Sequence, residues 1–268
     1  MTLANPHIAV IRLTESGSFD PEVRDTLIVG PGMGTSVNGL FTEMAQYLTH
    51  RFQVIGIDLP GHGQSPARHE AISIAELADA VSELVRNLRH TGTIRGESKV
   101  YFAGLSISGQ IALELAIEHA DVFDGIAVMA SAPKIGTAED WAERAQVTRT
   151  SGTQSMVESS ASLWVSDTFQ DDTKLEVQKQ ALKSADDQSY AALCEALGNY
   201  DAGARLHEIS LPLFTVAGGQ DQMCTVADAE HIASTVHEGT TAVIENAAHL
   251  LPLEQPQQLA ALLDKNLA

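Results

Sequence analysis

The stretch Val100-Tyr101-Phe102-Ala103-Gly104-Leu105-Ser106-Ile107-Ser108-Gly109-Gln110-Ile111-Ala112-Leu113-Glu114-Leu115-Ala116 decides the fold class. It opens on a short aromatic and β-branched run, which reads as a strand, and closes on apolar residues at helical spacing. Only a tight turn fits between them. A chain that passes so abruptly from strand to helix puts Ser106 on a sharp bend, with Oγ projecting beyond the sheet edge. Small residues two places before and after the serine keep strand and helix from clashing. Gly104 meets that need, and Ser108 stands where a second glycine is usual. The same turn sets the Ile107 N–H at a helix N-terminus, where a free donor and the helix dipole both favour developing negative charge. Ser106 is therefore the candidate nucleophile and the Ile107 N–H a candidate oxyanion donor.

Outward from this point the same alternation continues. Apolar runs at Ile8–Leu13, Leu27–Val29, Gln53–Ile57, Gly125–Met129, Leu213–Ala217 and Ala242–Ile244 read as strands. Amphipathic segments lie between them, as at Ile74, Leu77, Ala78, Val81, Leu84, Val85 and Leu88, with others at Gly39–Thr49, Ala227–Val236 and Gln257–Leu267. Strands alternating with helices predict an α/β fold with a mostly parallel central sheet flanked by helices on both faces. The alternation lapses near Lys134 and resumes at Leu211-Pro212-Leu213; the polar stretch between, including Asp140–Arg149 and Asp172–Ser184, reads as helical. The expected organisation is a core of residues 1–133 and 208–268 interrupted by a helical cap, 134–207, over the C-terminal edge of the sheet, where open α/β folds bind ligands.

Composition narrows the function. Of 268 residues 44% are hydrophobic, enough for a large core, and the formal net charge of −19 argues against nucleic acid and anionic membranes as partners. Cys194 and Cys224 do not form a disulfide framework in a chain of this size. The opening MTLANPHIAVIRL lacks the charge and apolar pattern of a signal peptide, and no apolar run is long enough to span a bilayer, so a cytoplasmic protein is expected. Self-association is left open. The spacing of His, Cys and carboxylates suggests no metal site, and no glycine-rich phosphate loop is present, so no cofactor is expected.

Candidates for the remaining chemistry follow from position. His249, in Glu245-Asn246-Ala247-Ala248-His249-Leu250-Leu251-Pro252, lies on the loop after the last strand, from which a side chain can reach Ser106 and act as general base. Asp221 ends the turn Gly218-Gly219-Gln220-Asp221 and can orient that histidine; Asp201 and Asp228 are its rivals. The order Ser, Asp, His is the one expected of this strand–helix arrangement. A second oxyanion donor is expected from the loop Gly30-Pro31-Gly32-Met33-Gly34-Thr35, with the Met33 N–H as candidate. Cys224, a lone thiol away from the elbow, reads as packing.

Together these segments, with Phe52-Gln53-Val54-Ile55-Gly56-Ile57-Asp58-Leu59-Pro60-Gly61-His62-Gly63-Gln64-Ser65, resemble the α/β-hydrolase superfamily over nearly the whole chain. The cap is similar to that of 3-oxoadipate enol-lactone hydrolases: Trp141, Arg144, Arg149 and Gly152, then Leu163-Trp164 and Phe169, then Tyr190-Ala191-Ala192-Leu193-Cys194-Glu195-Ala196-Leu197 and Tyr200-Asp201. The chain departs from that family at Pro60, where Arg is usual, and at Gly30-Pro31-Gly32. The resemblance implies a serine hydrolase acting on a small carboxylated enol-lactone of aromatic catabolism, with Trp141, Arg144, Arg149 and Trp164 as substrate-binding candidates. In that reading at least one of the two arginines binds the substrate carboxylate. The alternatives are a C–C hydrolase of ring-cleavage products, a general carboxylesterase, or a ligand-binding receptor on a hydrolase scaffold.

Overall fold

A computed structural model of the chain describes residues 5–14 and 24–267, so the first four residues of the N-terminal stretch read above lie outside the described residues. Seven strands form one sheet: β1 (Ala9–Arg12), β2 (Asp25–Gly30), β3 (Phe52–Asp58), β4 (Val100–Leu105), β5 (Gly125–Met129), β6 (Leu213–Gly218) and β7 (Gly239–Ile244). Their spatial order is β1-β3-β2-β4-β5-β6-β7, and every pairing is parallel except that of β1 with β3. Each expected apolar run is one of these strands.

The helices are α1 (Val37–Gln46), α2 (Ile74–His90), α3 (Ile107–Glu118), α4 (Ala138–Ser151), α5 (Val157–Trp164), α6 (Asp172–Ser184), α7 (Asp187–Gly198), α8 (Val226–Thr235), α9 (Leu251–Glu254) and α10 (Pro256–Asn266). A central parallel strand must be apolar on both faces because helices cover both. All six residues of β4 are buried accordingly, and successive side chains serve opposite layers. Tyr101, Ala103 and Leu105 join the layer containing α1 and α10, whereas Val100 and Phe102 join the layer of α2, α3 and α8. The edge strand β1 shows the complementary pattern, Ile11 buried between exposed Val10 and Arg12.

This order positions a ligand crevice. The chain leaves β2 toward β3 on one side and, after α2, returns to β4 and proceeds toward β5 on the other. The connections therefore diverge between the C-terminal ends of β2 and β4, a topological switch point. The loop after β2 and the turn after β4 are those already singled out. Between β5 and β6 the structure has four helices, α4 to α7, and two 3₁₀ turns, Thr153–Met156 and Gly203–Glu208, with no strand among them. No helix among the described residues is long and apolar enough to cross a membrane.

Candidate active site

Ser106 sits between the last residue of β4 and the first of α3 with φ 59° and ψ −119°, a conformation that a residue with a side chain adopts only when its surroundings enforce it. Those surroundings are visible. Its N–H donates to the Met129 carbonyl at 2.9 Å, and its own carbonyl accepts from Ser131 Oγ at 2.8 Å. A Cβ on Gly104 would collide with the Ser108 carbonyl, which fixes glycine there. Although Ser106 occupies the N-cap position of α3, its hydroxyl caps nothing, which leaves Oγ free for chemistry.

Ser108, in the place of the usual second glycine, has a distinct role. Its Oγ donates to the Pro31 carbonyl at 2.6 Å and so ties the loop after β2 to the elbow. The hydroxyl fits because Gly30 faces it: a Cβ at Gly30 would come within 2.7 Å of both Ser108 Cβ and Oγ. The next carbonyl, that of Gly32, accepts from Thr35 Oγ1 at 2.7 Å and Thr35 N–H at 3.3 Å. Among the described residues neither the Met33 nor the Ile107 N–H donates a backbone or side-chain hydrogen bond, so both remain available to an oxyanion.

His249 and Asp221 are brought together from the loops after β7 and β6. His249 Nδ1 lies 2.7 Å from Asp221 Oδ2, and both side chains are buried. The other carboxylate oxygen, Oδ1, accepts the N–H groups of Met223 at 2.8 Å and Cys224 at 3.1 Å. Since the carboxylate accepts, Nδ1 donates a proton to it, and in the neutral imidazole Nε2 is then the nitrogen with the free lone pair. The rivals are engaged elsewhere. Asp228 forms a capping box with Thr225, and Asp201 accepts from the Gly203 N–H and faces Lys134.

Ser106 and His249 line one cavity of about 310 Å³ together with Gly32, Met33, Gln222 and Met223 below and Trp141, Arg144, Ser160, Leu163, Trp164 and Tyr190 above. Helices α4, α5 and α7, which lie between β5 and β6 in the chain, thus line the same cavity as Ser106 and His249. The four expected substrate-binding residues do not all reach it. Trp141, Arg144 and Trp164 reach the cavity, but Arg149 does not: its Nη1 donates to Glu195 Oε1 at 2.6 Å on the outside of α4, and that hydrogen bond raises its already high pKa. Arg144 instead donates from Nε and Nη2 to the Tyr190 hydroxyl, at 3.0 and 2.7 Å, and from Nη2 to Ser160 Oγ at 2.8 Å. Its guanidinium carbon also lies 5.6 Å from the Tyr190 ring centre.

Sequence reading did not single out Thr35, Ser160 or the Tyr190 hydroxyl as neighbours of this site. Ser160 left one signal: α5 buries Val157, Ser160, Ala161 and Trp164, so a hydroxyl interrupts an otherwise apolar stripe. Cys224 is buried behind Asp221, and burial together with that carboxylate pushes its thiol well above the usual pKa. Its sulfur, His249 and Asp221 gather donor atoms within 4.8 Å of one another, a group that spacing in the chain did not suggest. The Nδ1–Oδ2 hydrogen bond already occupies two of its three members.

Comparison with known proteins agrees with this architecture. Residues 27–262 match the model of the "Alpha/beta hydrolase family". Relatives include 3-oxoadipate enol-lactonase 2 of Acinetobacter baylyi, 31% identical over 242 residues that span 90% of this chain and 87% of the relative, and 3-oxoadipate enol-lactonase 1 of the same organism, 30% identical with 89% and 86% spanned. The crystal structure of the enol-lactonase from Burkholderia xenovorans LB400 shares the fold, with a TM-score of 0.86 at 22% identity over 97% of this chain and 95% of that one. With a family match over most of its length and hydrolases as its relatives, the chain belongs to the alpha/beta hydrolase family and is a hydrolytic enzyme.

Proposed function

We propose that this enzyme hydrolyses a small carboxylic ester or lactone bearing a carboxylate, a 3-oxoadipate enol-lactone or a close analogue. Arg144 carries the reading. Its guanidinium lines the cavity that holds Ser106 and His249, its bonds go to neutral hydroxyls, and among the described residues no carboxylate contacts it. A half-buried cation without a protein counter-ion, in a chain of net charge −19, is a seat for an anion. The similarity to two 3-oxoadipate enol-lactonases supports the same substrate class.

In the proposed reaction Ser106 Oγ attacks the lactone carbonyl while His249 Nε2 takes its proton, and Asp221 stabilises the imidazolium. The tetrahedral oxyanion accepts from the Met33 and Ile107 N–H groups. Collapse breaks the ring C–O bond; the enolate departs with the proton held by His249, and the enol tautomerises to a ketone, which opposes re-closure. Water, deprotonated by His249, then attacks the acyl-enzyme, and Ser106 leaves with that proton. The proposal extends to a cytoplasmic role in aromatic catabolism.

A hydrolysis screen of a carboxylated enol-lactone, neutral short-chain esters and ring-cleavage dienoates tests the reading. The highest kcat/KM is expected for the carboxylated lactone. Preference for the neutral esters favours a general carboxylesterase, preference for the dienoate a C–C hydrolase, and saturable binding without turnover a receptor.

A further inference from the structure

We propose that the hydroxyls of Tyr190 and Ser160 act with Arg144 as a three-donor cradle for one substrate carboxylate, so that specificity for a monoanionic group is built by three helices rather than by one arginine. This rests on the reading of Arg144 given above and adds two binding residues to it.

A guanidinium has only donors, so each contact it makes with a hydroxyl oxygen uses that oxygen as acceptor. Arg144 makes such contacts with Tyr190 through Nε and Nη2 and with Ser160 through Nη2. Both hydroxyl protons must therefore point away from Arg144. Among the described residues neither finds an acceptor, although Tyr190 is 1% and Ser160 5% exposed and both line the cavity. Nη1 likewise has no partner among them. Three donors on side chains that line one cavity thus have nothing among the described residues to receive them. A buried donor left unmatched costs free energy, and a ligand that supplies lone pairs removes that cost.

The arrangement suits a carboxylate in particular. One guanidinium balances one negative charge, and a hydroxyl that accepts from a cation becomes a stronger donor to an anion. Burial raises the Tyr190 phenol to about 12 despite the neighbouring arginine, so it remains a donor throughout the neutral range. Because the Nε/Nη2 edge is spent on the protein, a ligand cannot take the side-on, two-pronged contact usual for arginine. It meets Nη1 end-on and takes its second contact from the hydroxyls. Arg144 stands on α4, Ser160 on α5 and Tyr190 on α7.

The test uses a matched pair, 4-nitrophenyl hydrogen succinate and its methyl ester, and reads the ratio of kcat/KM for acid over ester. Tyr190→Phe and Ser160→Ala should each lower that ratio by roughly tenfold, since hydrogen bonds to charged groups are worth about that much or more. The competitive inhibition constant of succinate should rise in parallel. A purely structural role for either hydroxyl predicts equal losses on acid and ester, an unchanged ratio, and overturns the cradle. If Arg144→Ala abolishes the acid preference while both hydroxyl variants keep it, the cradle is wrong and the arginine reading stands. If Arg144→Ala keeps it, both fall. Should Tyr190→Phe fold poorly, Ser160→Ala and the succinate constant decide by the same criteria.

Discussion

The Gly32 carbonyl accepts two hydrogen bonds from a single residue, from Thr35 Oγ1 at 2.7 Å and from the Thr35 N–H at 3.3 Å. That carbonyl belongs to the same planar peptide as the Met33 N–H, and the two groups point in opposite directions. Holding the oxygen on Thr35 therefore aims the N–H away from it, and Met33 lines the same cavity as Ser106. Ser108 fixes the preceding carbonyl in the same loop. The proposed oxyanion donor is thus set before substrate arrives, which is where such donors gain their value.

Thr35→Val removes the hydroxyl and keeps the shape. Removal of an oxyanion donor costs about 10²–10³ in kcat, and loosening one should cost less, about ten- to a hundredfold, with KM little changed. Thr35→Ser should recover most of the loss. Steady-state kinetics on an activated ester measures this, and unaltered kcat in Thr35→Val would remove the residue from the argument.

Loss of Ser106 or His249 should be equally severe. Residues that act as a unit can each cost about a millionfold in kcat, so Ser106→Ala and His249→Ala are expected to match. Asp221→Asn should be milder, about 10⁴-fold, because it disturbs the tautomer and the imidazolium but leaves the base in place. Comparable losses for Asp201→Asn with a silent Asp221→Asn would reassign the acid. Circular dichroism of each variant separates lost chemistry from lost fold.

The two cap arginines should part company. Arg144→Ala should lower the acid-over-neutral preference by about ten- to a hundredfold, the worth of a hydrogen bond between charged groups. Arg144→Lys should not restore it, since an ammonium cannot span Tyr190 and Ser160 as a planar fork does. Arg149→Ala breaks only a half-exposed pair with Glu195, worth about 0–1 kcal/mol, and should move Tm by roughly 3 °C at most. A loss of acid preference in Arg149→Ala would contradict its place outside the cavity.

The sequence carried part of that distinction unread. Arg144 and Arg149 are five residues apart, about 140° around a helix, so both could not face one cavity. Trp141 and Arg144, three apart, could, and Ala145 and Thr148 mark the same buried side. The strands were legible because a sheet covered on both faces demands continuous apolar runs. Where that demand lapses the reading shortened: β7 starts at Gly239 rather than Ala242, since Thr240 and Thr241 on this edge strand are exposed. Strand–turn–helix order pointed to Ser106, Asp221 and His249 because each follows a strand end. Contacts between helices have no such marker. Nothing in the spacing of Arg144, Ser160 and Tyr190 says that they meet, and Thr35 reads as one more loop residue until its hydrogen bond is seen.

His62 supplies the last prediction. In the segment Pro60-Gly61-His62-Gly63 this residue is buried, 1% exposed, with its imidazole stacked on Tyr190 at 5.9 Å between ring centres. Its Nδ1 lies 2.9 Å from the Pro60 carbonyl, which can only accept, so Nδ1 carries the proton and Nε2 is a bare acceptor. Nε2 is buried with no partner among the described residues, so protonating it would place a cation where nothing receives it. Burial accordingly lowers the pKa from 6.5, against the opposing pull of the Pro60 contact, Asp58 and Asp186. The unfolded chain then binds a proton that the folded chain refuses. Stability from this group is complete above the unfolded value of 6.5 and declines as pH falls from there toward the lower folded value. His62→Asn can still donate to the Pro60 carbonyl but does not titrate. Its Tm should therefore change less than that of the wild type between pH 7 and about pH 5, even if it is lower at neutral pH because the stacking on Tyr190 is lost. Thermal unfolding of both proteins across that range checks the slope. Parallel curves would mean that His62 is protonated in the folded protein as readily as in the unfolded one.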